Sequence, residues 1–138
     1  DHKRRTLYIF DEVYGVGILN RQLAMLILEK NIPGEKVICD SAEPKSVAEL
    51  REQGVNAIKA KKGPGSVEST TKYLQELNAI IIDKVRCPNT AREFANAEFD
   101  IDRFGNVINR LTDKDNHTVD ATRYRIEQEM RRKSGWRR

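Results

Sequence analysis

The chain has 138 residues, with 25 Lys and Arg against 21 Asp and Glu, and its formal charge of +4 admits a polyanionic partner without requiring one. That length suits one domain with a sizeable core and excludes a separate motor or substrate domain beside it. Cys39 and Cys87 offer neither a disulfide framework nor a zinc spacing, no apolar run is long enough to cross a bilayer, and the polar N-terminus is no signal peptide, so the expectation is a soluble protein in a reducing, cytosolic compartment.

In chain order, residues 6–14 (TLYIFDEVY) are rich in β-branched and aromatic side chains and read as a strand, with Leu7, Ile9 and Asp11 on one face and Tyr8, Phe10 and Glu12 on the other. The segment Gly15-Val16-Gly17 breaks it. Leu19, Leu23, Leu26 and Ile27 then mark an apolar helix that ends at Asn31 and Pro33-Gly34. Val37, Ile38 and Cys39 form a short run expected to be a strand buried on both faces, closed by Asp40. Pro44 suits the first turn of the next helix, Val47 and Leu50 face a core, and Gly54 stops it.

Residues 55–59 form another short strand, leading into the loop Lys61-Lys62-Gly63-Pro64-Gly65. Ser66 is the expected cap of a helix with Val67, Thr70, Leu74 and Leu77 inward. Residues 79–82 read as a second fully buried strand closed by Asp83, and 89–97 as a short helix. Residues 99–110 (FDIDRFGNVINR) alternate about Gly105-Asn106, as in an exposed hairpin. A polar loop over 113–116 starts the last helix, with Val119, Ile126 and Met130 inward and small Ala121 allowing close approach to the sheet. Strands alternating with helices predict an α/β domain with largely parallel pairing.

Asp40 stands at the C-terminal end of a strand just before a helix, where open α/β sheets place their chemistry; it serves equally well as a cap for the turn that follows. His117 and Asp120 lie three residues apart, so both can project from one face of the last helix toward Asp40. Carboxylates that share a site need a hard cation between them, and Mg²⁺ or Mn²⁺ prefers oxygen ligands; two such ions can hydrolyse a phosphodiester. His117 would then bind the second metal or protonate the leaving group. The alternative roles are structural: dipole complementarity for Asp120, and a cap or surface position for His117. Asp11 and Glu12 are assigned structural or solvated roles. No Walker lysine follows the Gly63-Pro64-Gly65 turn, so ATP hydrolysis is not expected. Lys45, Lys61 and Lys62 are candidates for DNA phosphate, or else form a solvated loop beside the site; Arg103 and Arg110 offer the same chemistry on the hairpin. The basic runs Lys3-Arg4-Arg5, Arg131-Arg132-Lys133 and Arg137-Arg138 read as solvated tails.

Residues 39–50 (CDSAEPKSVAEL), 61–69 (KKGPGSVES) and 116–124 (NHTVDATRY), with 8–15 (YIFDEVYG), resemble the nuclease domain of tailed-bacteriophage terminase large subunits, in the same order and over nearly the whole chain. The resemblance implies a ribonuclease H-like α/β fold, a mixed sheet flanked by helices with an accessory β-hairpin that gates DNA access. It implies cutting of concatemeric viral double-stranded DNA with two Mg²⁺ or Mn²⁺ ions. By position, Asp40 is similar to the second metal-binding carboxylate, Asp120 to the last, and His117 to the histidine beside that site. Arg123 and Tyr124 are expected to orient and pack the last helix. The implied partners are an ATPase domain of the same polypeptide, a portal protein and a small terminase subunit, in the host cytoplasm, with no membrane. The family's first catalytic aspartate lies on a strand before YIFDEVYG, and this sequence begins in the turn after it. The expectation is a fragment lacking a central strand between 6–14 and 37–39, with metal affinity and activity weak or nil. A catalytically incomplete module binding DNA or the portal, or another ribonuclease H-like nuclease such as a resolvase, are the alternative functions.

Overall fold

The computed structural model describes residues 1–30, 33–112 and 114–134, with the side chains at 109, 110, 133 and 134 outside the description. The elements are β1 (Thr6–Ile9), α1 (Asn20–Lys30), β2 (Val37–Cys39), α2 (Pro44–Glu52), β3 (Ala57–Lys59), α3 (Ser66–Gln75), β4 (Ala79–Ile82), α4 (Pro88–Ala95), β5 (Phe99–Ile101), β6 (Val107–Leu111) and α5 (His117–Ser134). β1 pairs in parallel with β4 (Tyr8 opposite Ile81), and β2 pairs in parallel with β3 (Ile38 opposite Ile58). β5 and β6 form an antiparallel hairpin. Among the described residues β1 and β2 are not hydrogen-bonded to each other, so each keeps one open edge.

The core lies where the sequence pattern puts apolar residues at helical spacing. Ala24 of α1, Val47 and Leu50 of α2, and Val55 and Ala57 at β3 are buried, with Leu23, Ile27, Val37 and Cys39 packed against them. Pro44 occupies the first turn of α2, where its missing N–H costs nothing, and Gly54 ends the segment at φ +90°. α5 packs on β2, α3 and α4, with Val119 and Ile126 buried and Met130 half-buried.

Several expectations are corrected. β1 stops at Ile9, opposite the end of β4, where the Asp83 N–H meets the Ile9 carbonyl, so residues 10–14 are not strand; their acidic side chains serve neighbouring segments. β2 is half-buried along its length, and β4 is half-buried with Ile81 exposed, so neither strand is buried on both faces. Leu19 precedes α1 and is exposed. Ser66 is not the cap of α3: Gly65 takes the cap position in the left-handed conformation, and the Ser66 carbonyl instead accepts the Thr70 hydroxyl at 2.6 Å. Ala121 faces outward, so it is not the residue that lets α5 approach the sheet; the buried positions on that helix are Val119, Arg123 and Ile126. Asn31, Asp113 and the 137–138 arginines lie outside the described residues.

Candidate metal and DNA site

Three strand ends carry carboxylates, and what each touches separates them. Past β1, Asp11 receives Lys30 at 2.8 Å and Arg86 at 3.1 Å. Glu12 receives the backbone N–H groups of Asn89 (3.0 Å) and Thr90 (2.8 Å) together with their side chains, and so closes the first turn of α4. These are structural roles, as expected for both. Past β4, Asp83 accepts the N–H groups of Val85 and Arg86 within its own turn. Only Asp40, past β2, meets the last helix.

Asp40 Oδ1 accepts the Ala42 N–H at 2.9 Å, which is the turn-capping role, and also holds Lys62 Nζ at 2.5 Å. Its Oδ2 accepts the Tyr124 hydroxyl of α5 at 3.2 Å. The Lys62 ammonium lies 5.0 Å from the centre of the Tyr124 ring. The Ala42 N–H first, then Lys62 and Tyr124, hold the Asp40 carboxyl below its usual range against the opposing effect of burial, and the same contact raises Lys62. Asp120 sits one turn before Tyr124 on the same helix, close enough that its charge, like that of Asp40, acts on the phenol. Buried Arg123 grips Asp120 Oδ1 through both Nε and Nη2, and Asn116 Nδ2 lies 3.4 Å from the same oxygen. His117 is exposed in the first turn of α5.

The start of α5 is fixed by a residue that the sequence pattern did not single out. Glu93 of α4, only 1% exposed, accepts the Thr118 N–H and hydroxyl, each at 2.6 Å, and the Tyr14 hydroxyl at 3.1 Å. Burial by itself pushes this carboxyl up, but the hydrogen bonds from Thr118 and Tyr14 outweigh it and leave it below the ordinary range. A capping chain therefore runs from Glu12 to the first turn of α4, and from Glu93 to the first turn of α5. The available signal was weak: Glu93 shares a helical face with Thr90, which is also buried.

Of the DNA candidates, Lys61 is exposed on its loop, and Lys45 is exposed and 4.0 Å from Glu49. Lys62 is engaged by Asp40. Arg103 is exposed with its guanidinium 4.7 Å from the Phe104 ring centre, and the Arg110 side chain lies outside the description. Asp102 closes the hairpin turn, accepting the Phe104 and Asn106 N–H groups at 2.8 and 2.9 Å. Carboxylate and imidazole are the donors that a divalent ion of the Mg²⁺ or Mn²⁺ kind accepts, and so this set fits such an ion in kind. Among the described residues no three His, Cys, Asp or Glu form a closed ligand group.

The fold matches the crystal structure of the g2p (large terminase) nuclease domain from bacteriophage SPP1 with bound Mn, at a TM-score of 0.87 and 42% identity, over 94% of this chain and 74% of that one. Parallel strand pairs flanked by helices, an accessory hairpin and a strand-end aspartate facing the last helix thus define a ribonuclease H-like domain of the nuclease type. A family profile for the terminase RNase H-like domain matches residues 1–128, and the chain belongs to that family. It is 42% identical over 134 residues to the terminase large subunit of Bacillus phage SPP1, covering 96% of this chain and 32% of that protein. It is 31% identical over 127 residues to the PBSX phage terminase large subunit of Bacillus subtilis (strain 168), covering 92% of this chain and 29% of the relative. The chain therefore spans about a third of the length of these relatives.

Proposed function

We propose that this domain is the metal-dependent DNA endonuclease of a viral packaging terminase, cutting concatemeric double-stranded DNA. The observation that carries this reading is the docking of α5 on Asp40 through Tyr124, one turn from Asp120. Asp40 and Asp120 would hold two Mg²⁺ or Mn²⁺ ions, with His117 beside the second. The Mn in the related SPP1 domain supports a divalent ion, and two carboxylates would offset the charge of a pair. Such ions supply a nucleophile from water at neutral pH and neutralise charge on the phosphate.

The remaining work falls to the protein. Tyr124 orients Asp40, and Arg123 orients Asp120. His117, exposed at the start of α5, would bind the second metal or give a proton to the departing oxygen. Lys45, Lys61, Lys62, Arg103 and Arg110 contact backbone phosphates, which positions duplex DNA without reading sequence. The family's further carboxylate would arrive on a strand between the open edges of β1 and β2, which supports reading this domain as part of a larger unit. A portal protein, a small terminase subunit and an ATPase domain of the same polypeptide are the proposed partners, in the host cytoplasm.

A catalytically incomplete DNA-binding module is the second reading, favoured by the cation that each aspartate already carries. Plasmid nicking with Mn²⁺ separates the two. It is tested on this chain and on a version extended upstream by one strand, each with Asp40→Ala and Asp120→Ala. Little cutting by the chain alone and clear cutting by the extended one is expected, lost in both variants. Cutting that survives both substitutions rules out this site.

A further inference from the structure

Lys62 is the cation nearest Asp40, and its position bears on how a metal reaches that residue. The β3–α3 loop that carries it is tied to β2 by the Ala60 N–H on the Cys39 carbonyl at 2.7 Å. This keeps the base of the loop level with the end of β2. The ammonium sits 2.5 Å from Asp40 Oδ1 with the Tyr124 ring beside it, and Tyr124 also holds Oδ2. A divalent ion binds carboxylate oxygen at about 2.0–2.6 Å, and with the Ala42 N–H and Lys62 both on Oδ1 an ion that takes that oxygen competes with the ammonium for it. The Lys62 and Asp40 side chains are 41% and 42% exposed, which leaves the pair open to exchange with solvent ions. The lysine stem carries several rotatable bonds and leads into the turn Gly63-Pro64-Gly65, so a displaced ammonium has room to swing outward.

Resting on the nuclease reading above, we propose that Lys62 is the resident counter-ion of Asp40, that a divalent ion must displace it, and that the released ammonium then binds a DNA phosphate. Metal and lysine compete for one carboxylate, so by linkage the loss of the lysine charge tightens metal binding. A half-exposed ion pair of this kind sets the gain at roughly two- to fivefold in Kd. Lysine release adds one phosphate contact only when metal is present, which steepens the salt dependence of DNA binding by about 0.9 in log–log slope.

The test uses the chain as it stands, with Lys62→Gln, Lys62→Arg and Asp40→Asn, each checked for folding by thermal melting. Isothermal titration with Mn²⁺ should show Lys62→Gln binding roughly two- to fivefold more tightly than wild type, and Lys62→Arg within about twofold of it. Duplex binding over a salt series should give wild type and Lys62→Gln equal slopes in EDTA. In Ca²⁺ the wild type should become steeper by about one phosphate contact than the variant. Equal Mn²⁺ affinity in wild type and Lys62→Gln overturns the displacement. Equal slopes in Ca²⁺ overturn the transfer to phosphate. Mn²⁺ binding that survives Asp40→Asn, or is absent both from these proteins and from a version extended upstream by one strand, overturns the site reading itself and is thereby distinguished from failure of the lysine proposal.

Discussion

Removing the Glu93 carboxylate should loosen the helix that carries Asp120, because Glu93 is the acceptor for the first turn of α5. In Glu93→Ala the Thr118 N–H, the Thr118 hydroxyl and the Tyr14 hydroxyl lose their partner at a position 1% exposed. Each buried polar group left unmade costs about 1–3 kcal/mol, and part of that is recovered where water enters the vacated volume. A net loss of about 3–5 kcal/mol is expected, which for a domain of this size lowers Tm by roughly 10–15 °C. Glu93→Gln keeps one carbonyl oxygen and the packing, so it should cost about 1–3 kcal/mol.

The pH dependence gives an independent reading of the same contact. Glu93 titrates below its ordinary value of 4.5 in the folded protein, so its stabilisation is fully present above that value and is lost as pH falls through the depressed one. Circular-dichroism melts between pH 7 and pH 3 should show a shallower acid limb in Glu93→Gln than in wild type. A Glu93→Ala protein melting within about 2 °C of wild type, or a Gln variant with an unchanged acid limb, would refute the capping argument.

Glu12→Ala removes the acceptor from the first turn of α4 and should cost about 1–2 kcal/mol in urea denaturation, with an unchanged m-value. Tyr124→Phe deletes only the hydroxyl on Asp40; it should change stability by less than about 1 kcal/mol while weakening Mn²⁺ binding in a titration, since Asp40 loses an orienting contact. Gly105→Ala meets open space but a φ of +83°, so strain of about 1 kcal/mol should speed hydrogen exchange in β5 and β6 and leave α2 and β3 unaffected.

The elements legible from sequence are those that a periodic apolar pattern or a turn residue controls. Val47 and Leu50 set α2, Gly105 sets the hairpin, and Val119 with Ile126 sets the buried side of α5. Asp40 and Asp120 stand out as candidates because one ends a strand and the other opens a helix. The approach of α5 to the end of β2, with Tyr124 on Asp40 one turn from Asp120, is a tertiary fact that local pattern suggests but does not determine. β2 and β4 are less buried than their apolar runs suggest, because such a run reports what can be covered rather than what packs on each face. The partners of Glu12, the role of Glu93 and the Lys62–Asp40 contact were hidden for a related reason. A charged side chain on a helix or loop looks solvated in sequence, and only the approach of a distant N–H group or carboxylate reveals its work. Asp102 shows the reverse case, an apparent surface charge whose role is to satisfy its own turn.

The central claim is that Asp40 and Asp120 serve the same metal site, and a double-substitution cycle on Mn²⁺ binding tests it most directly. Calorimetric titration of wild type, Asp40→Asn, Asp120→Asn and the double variant should show each single change weakening binding by at least about tenfold, with the double no weaker than the worse single. Mn²⁺ affinity that is untouched by Asp120→Asn, or losses that simply multiply in the double variant, would mean that the two carboxylates do not share an ion.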